Sequence, residues 1–181
     1  MKTYDLFEMR QFLVSAFLHG RWHFVHRDIY GNIVDEEWVD NIIPNEGIDY
    51  ILNAAIHGDT QISAWYFAPF TNDYTPTASD TYASPGYTEA TSEYSESTRQ
   101  EWVEGAASGQ QITNSTAATI TAATDVTIYG AGLVGGGTAP DTKGDTSGGG
   151  VLLASAALAS PKSLSNGETL DMTYTITGSS S

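Results

Sequence analysis

Four histidines, 22 carboxylates and no cysteine are the raw material for chemistry in this chain. His23 and His26 lie three apart on a segment that alternates as a strand does. A period of two sends them to opposite faces, so one metal ion cannot easily use both. Three histidines and a carboxylate would make a metal site, but His19 or His57 would have to join them, and no spacing requires it. The acidic run Asp35, Glu36, Glu37 and Asp40 lacks the D-x-D/N-x-D/N-G loop that calcium prefers. It reads as a solvated strand face or as an electrostatic contact for a partner. The glycines around Lys143 do not form G-x-x-x-x-G-K-S/T, and no helix follows to receive a phosphate. No G-x-S-x-G elbow is present for serine hydrolysis. Carboxylate pairs of the glycosidase type are unavoidable among so many acids, but none is marked out. We therefore expect a non-enzyme with no catalytic, cofactor or metal residues.

The remaining chemistry is recognition. Trp65, Tyr66, Phe67, Phe70, Tyr74, Tyr82 and Tyr87 form an aromatic cluster of the kind that stacks on sugars. Tyr74, Tyr82 and Tyr87 stand as candidate surface aromatics. The competing and preferred reading makes Trp65 and Phe67 core and leaves the tyrosines to brace a loop. Asn114-Ser115-Thr116 matches a glycosylation sequon, a pattern that a Ser/Thr-rich chain produces by chance.

Charge narrows the partners. The formal net charge is −15, and beyond Arg27 the only basic side chains are Arg99, Lys143 and Lys162. Nucleic acid is excluded, because phosphate binding needs a basic face, and anionic membrane surfaces are excluded for the same reason. The charge favours solubility or a basic partner. No apolar run approaches the ~20 residues that span a bilayer. Asp5 and Glu8 stand where a signal peptide is basic, so the mature chain is expected to begin at or near Met1.

The elements that must position these groups are mostly strands. Residues 1–19 read as an N-terminal arm or short helix, with Leu6, Met9, Leu13 and Phe17 near helical spacing. Phe7, Phe12 and Phe17 are its candidate partner contacts. Residues 21–43 read as a β-hairpin turning at Tyr30-Gly31-Asn32, its return-strand acids able to pair with Arg21 and Arg27. The spacing of Ile48, Ile51, Leu52, Ala55 and Ile56 predicts a helix over 45–57 with one buried face, capped by Asn45 and closed at Gly58. Strands follow at 61–70, around Arg99–Val103, through Ile112, Ile120 and Val126–Val134, and at Val151–Ala159. Residues 71–88 read as a long surface loop and the Gly-rich stretch 135–150 as a flexible one. Asn166-Gly167 turns into a final strand with Leu170, Met172, Tyr174 and Ile176 on one face. The expectation is a mainly β chain: a β-sandwich or jelly roll over 20–181 with one packed helix and an arm.

One order of residues is familiar. Gly20–Asp40 turns at Gly31-Asn32, then come Asn41-Ile42-Ile43-Pro44-Asn45-Glu46-Gly47 and a helix ending at His57-Gly58. Thr60-Gln61-Ile62, Trp65-Tyr66, Thr88-Glu89 and Tyr94-Ser95-Glu96-Ser97-Thr98-Arg99 follow. Trp102, Gln111-Ile112-Thr113-Asn114, Asn166-Gly167-Glu168-Thr169-Leu170 and Thr173-Tyr174-Thr175 complete it. Over about residues 20–177 this resembles a group of small virion structural proteins of tailed bacteriophages. The resemblance implies a non-enzymatic particle component: a capsid decoration or cement protein, or a tail or fibre part. The partners it implies are the major capsid protein, or tail proteins, and further copies of the chain, with a homotrimer favoured. The implied location is the outer surface of the capsid, after synthesis in the host cytoplasm. A carbohydrate-binding module is the alternative from another class.

Overall fold

The computed structural model describes residues 18–179. In chain order the elements are β1 (Leu18–Arg27), β2 (Ile33–Asp40), α1 (Asn45–Leu52) with a π-helical turn (Asn53–His57), and β3 (Trp65–Phe70). They continue through β4 (Gln100–Glu101), β5 (Gln111–Thr113), β6 (Ala118–Thr121), β7 (Val126–Gly136), β8 (Gly150–Leu164) and β9 (Thr169–Gly178).

Alternation organises the first sheet, ordered β2-β1-β9-β5, with β6 also on β9. Leu170, Met172 and Tyr174 of β9 point inward and are fully buried. Their antiparallel partners Phe24 and Trp22 on β1 are equally buried. The second sheet, β4-β3-β7-β8, is antiparallel throughout and brings Phe67, Leu133, Ala154 and Ala156 against them. Trp22 meets the Phe67 ring edge-on at 5.4 Å between centroids, and Trp102 donates its indole N–H to the Tyr174 carbonyl at 3.0 Å. Two antiparallel sheets packed face to face with one short helix make a β-sandwich, as the strand pattern led us to expect.

Several boundaries differ. Leu18 and His19, placed in the arm by sequence, already belong to β1 and pair with Gly178 and Thr177. The strand expected from 61 begins at Trp65. Gly31 turns the β1–β2 hairpin at φ 84°, and the Asp28 carboxylate fastens that turn by accepting the N–H groups of Tyr30 and Asn32.

The helix departs most from its pattern. Its N-cap is Pro44, not Asn45, and no side chain caps it. Of the five apolar residues assigned to one buried face, Ile48, Leu52 and Ile56 are 45%, 55% and 82% exposed. Gly47 is the buried residue of α1. A Cβ there would sit 2.5 Å from the Leu153 carbonyl oxygen, so only glycine allows the helix this close to β8. That approach sets the helix rotation: Tyr50 and Ile51 pack on the core, and the Ile48–Leu52–Ile56 row turns to the outside.

Candidate functional site

The acidic run resolves into two faces. Register across the hairpin places Asp35, Glu37 and Val39 opposite His26, Phe24 and Trp22, on the inner side of the first sheet. Val34, Glu36, Trp38 and Asp40 share the outer side. Lys162 is 2% exposed; its Nζ donates to Asp35 at 2.6 Å and to Glu37 at 2.9 Å. Burial opposes the Lys162 charge, but the two carboxylates outweigh it and hold its pKa above the ordinary value. The Lys162 hydrogen bond in turn holds Asp35 below the usual carboxylate range.

Glu37 does more. β8 bulges between Ala157 and Lys162, where β7 advances only from Gly130 to Ile128. The bulge withdraws backbone N–H groups from the ladder. The Glu37 carboxylate accepts two of them, from Ala159 at 2.8 Å and Ser160 at 3.3 Å. The same edge of β8 is closed further along by Ile42, which exchanges both backbone hydrogen bonds with Ser155, and by the Glu46 carboxylate, which accepts the Leu152 N–H at 2.7 Å. Glu37 is thus an internal fastener rather than a contact for a partner, which corrects the sequence expectation; Glu36 and Asp40 remain on the surface.

The tyrosines are corrected likewise. Tyr82 and Tyr87 are 2% and 8% exposed, and Tyr74 is half-buried, so no ring row faces solvent. They brace the loop, as the preferred reading held. Arg99 lies among them, 3% exposed, and grips Glu89 with two parallel hydrogen bonds of 2.8 and 2.6 Å. Its other N–H groups donate to the Pro140 and Asp145 carbonyls at 2.8 and 3.0 Å. The Tyr82 hydroxyl donates to Asp145 at 2.8 Å, and burial pushes its pKa up. Lys143 donates to the Tyr94 carbonyl at 3.0 Å, with its ammonium 3.8 Å from the Tyr94 ring centre. The Gly-rich stretch, flexible by composition, is therefore pinned at Pro140, Lys143 and Asp145. All three basic residues beyond Arg27 are spent on such fastening.

Asn114 is no glycan acceptor in the folded chain. It is 5% exposed, donates to the Thr116 and Met172 carbonyls, and accepts the Tyr174 N–H. The histidines separate as expected, His26 inward to Glu168 at 2.9 Å and His23 outward to Glu36 at 3.1 Å. Among the described residues no group of three or more His, Asp or Glu is placed to hold a metal, and no helix is long and apolar enough to cross a membrane. Phe7, Phe12 and Phe17 lie outside the described residues.

Three exposed features remain. The tip of the β1–β2 hairpin carries Ile29, Tyr30, Ile33 and Val34, between 55% and 83% exposed. The outer face of the first sheet holds Trp38, half exposed, with the His23 ring stacked on it at 4.0 Å and the Arg21 guanidinium 5.1 Å from its centre. Around it His19 bonds Asp40 at 3.1 Å and Arg27 bonds Asp171 at 2.7 Å, so this face gathers the exposed cations of β1. The third feature is the outward row of α1. Beside that helix an open groove of about 590 Å³ runs between Asp49, Tyr50 and Asn53 on one side and Gly136, Gly149 and Val151 on the other. Sequence reasoning missed the tip, although two apolar pairs flanking Gly31-Asn32 were in plain view.

No family model matches the chain, and no curated protein matches it.

Proposed function

We propose that the chain is a non-enzymatic structural component of a tailed-phage virion, a decoration or cement protein that clasps the outside of the capsid shell. The observation that carries this reading is the apolar hairpin tip. Four large side chains stand clear of the core at the end of a two-stranded ribbon, and exposed apolar groups gathered in one place mark sites of association. The resemblance over residues 20–177 supplies the particle. The closed edge of β8 supports docking through side chains at the tip, not strand addition along that edge. In this reading the tip meets the major capsid protein, and homotrimers multiply weak contacts through effective concentration.

Particles assembled without the protein are expected to lose resistance to heat and osmotic shock. Full resistance would overturn the cement role. A tail or fibre position is the second reading, favoured by the same projecting tip; the ratio of this chain to the major capsid protein in purified virions separates the two. A ratio near one, or a simple fraction such as one third, supports the head, and a ratio far below that, corresponding to a few to a few dozen chains per particle, supports the tail. The carbohydrate-binding alternative loses Tyr82 and Tyr87 to the interior and, among the described residues, keeps only Trp38 and Tyr30 as large exposed aromatic rings.

A further inference from the structure

Lys162 is the only buried lysine among the described residues, and two carboxylates converge on its Nζ. Its strand, β8, ends the second sheet at one edge, and β2, which carries Asp35 and Glu37, ends the first. A buried ion pair stabilises a fold little more than apolar side chains of the same volume would. A buried amine held against a carboxyl group can do something else. We propose that Lys162 and Asp35 condense to an isopeptide bond, with Glu37 carrying the protons, and that this bond ties the two sheets together where β2 meets β8.

Three observations carry this. The first is distance. Nζ stands 2.6 Å from Asp35 Oδ2. The carboxyl carbon lies at most one C–O bond farther, close to the ~3–3.5 Å from which a held nucleophile attacks. The second is the placing of the two acids. Glu37 is fixed by the Ala159 and Ser160 N–H groups and lies 2.9 Å from the same Nζ, where it can take a proton from the amine. Asp35 accepts the Glu36 N–H, and its half-exposed side chain gives a released water a way out. The third is burial. The Lys162 side chain is 2% exposed, and desolvation is the largest single influence on its charge, favouring the neutral, nucleophilic amine. The two carboxylates together outweigh that influence at rest, so the reacting form is a minor one. Holding the groups in contact is worth an effective concentration on the order of 10⁵–10⁸ M, and a bond that forms once per chain can wait for a minor form.

The step balances within the three residues. Nζ passes one proton to Asp35 by way of Glu37, which leaves a neutral amine beside a neutral acid. The Nζ lone pair adds to Asp35 Cγ. Glu37 takes a second proton from Nζ and gives it to the departing hydroxyl, the Cγ–O bond breaks, and one water leaves. An ammonium and a carboxylate become an amide and water. The ion pair is the state before the bond forms, and its response to pH is that of the unlinked chain. The inference is independent of what the hairpin tip meets.

Intact-mass measurement on the full folded chain, incubated until its mass is constant, reads the step directly. Once the sequence difference is allowed for, the natural chain should be lighter by one water than Lys162→Arg, which keeps the cation but has no nucleophilic amine. Asp35→Ala should likewise lose no water. Trypsin acting on the unfolded natural chain should return residues 28–99 joined to a peptide that begins at Gly144 and runs uncut through Lys162. Glu37→Gln should slow the loss of water roughly a hundredfold. A natural chain that keeps its full mass would overturn the proposal. So would a loss of water that persists in Lys162→Arg, or one confined to a single tryptic peptide with normal cleavage after Lys162. An unslowed Glu37→Gln chain would overturn the role given to Glu37.

Discussion

The stretch from Thr71 to Arg99 and the hairpin from Arg27 to Trp38 invert the usual relation between regularity and burial. The first has almost no regular secondary structure, yet Asp80, Tyr82, Tyr87, Ala90, Tyr94 and Arg99 within it are buried. The second is an ordinary antiparallel ribbon, yet its tip presents four large apolar side chains to solvent. Irregular chain can enter an interior only when its polar groups find partners. Here Asp80 accepts from the Tyr74 and Thr77 hydroxyls and the Thr77 N–H, and Glu89 holds Arg99 and the Gly144 N–H. The ribbon's strands pair with each other and the Asp28 carboxylate ties its turn, so the apolar side chains at its tip are free to serve something else.

Breaking the fastened region should give the largest effect. Arg99→Met leaves the Glu89 carboxylate buried without its cation and should destabilise the protein by about 3–5 kcal/mol, read as a lower denaturant midpoint. Arg99→Lys should recover only part, because a point charge cannot make the paired contact. Asn114→Ala removes three hydrogen bonds, two of them buried, and strands the Tyr174 N–H, for about 1–3 kcal/mol by the same measurement.

Acid should loosen the fastened carboxylates outside that stretch more gently. Hydrogen bonds from the Ser165 N–H and from His26 hold Glu168 below its ordinary 4.5, and the Lys162 bond holds Asp35 below 3.8. A depressed carboxylate contributes stability that is present above its unfolded value and is lost as pH falls through its folded value. Thermal midpoints should therefore hold level down to about pH 5 and fall progressively below about pH 4.5. At the other end, the raised pKa of Lys162 keeps its contribution until the pH passes above 10.5.

The smallest change in stability should come from the tip. Tyr30→Ser with Val34→Ser should move the unfolding free energy by no more than about 0.5 kcal/mol per site. On the proposed function the same pair abolishes association with particles. A tip variant that unfolds as readily as Arg99→Met would erase the distinction between the two regions.

How legible this was depended on the reach of each interaction. The sandwich, the Gly31 and Asn166-Gly167 turns, the final strand and the helix limits follow from periods of two and 3.6 and from turn residues, all local. The helix face did not, since it was decided by the approach of Gly47 to Leu153, more than a hundred residues away. The inward turn of Asp35 and Glu37 could have been found: the alternation that faces Val39 inward faces them inward too, and Lys162 is one of three cations beyond Arg27. Arg99 gave no such signal, because its partners lie ten to 46 residues away on separate loops.

The spending of Arg99, Lys143 and Lys162 on fastening has a consequence for resistance to proteases. A trypsin-like protease cuts only after basic residues and must draw them into an extended, open strand. Beyond Arg27 it finds three, two of them buried and all three tied by hydrogen bonds to a carboxylate or a carbonyl. Digestion of that long remainder must wait for unfolding.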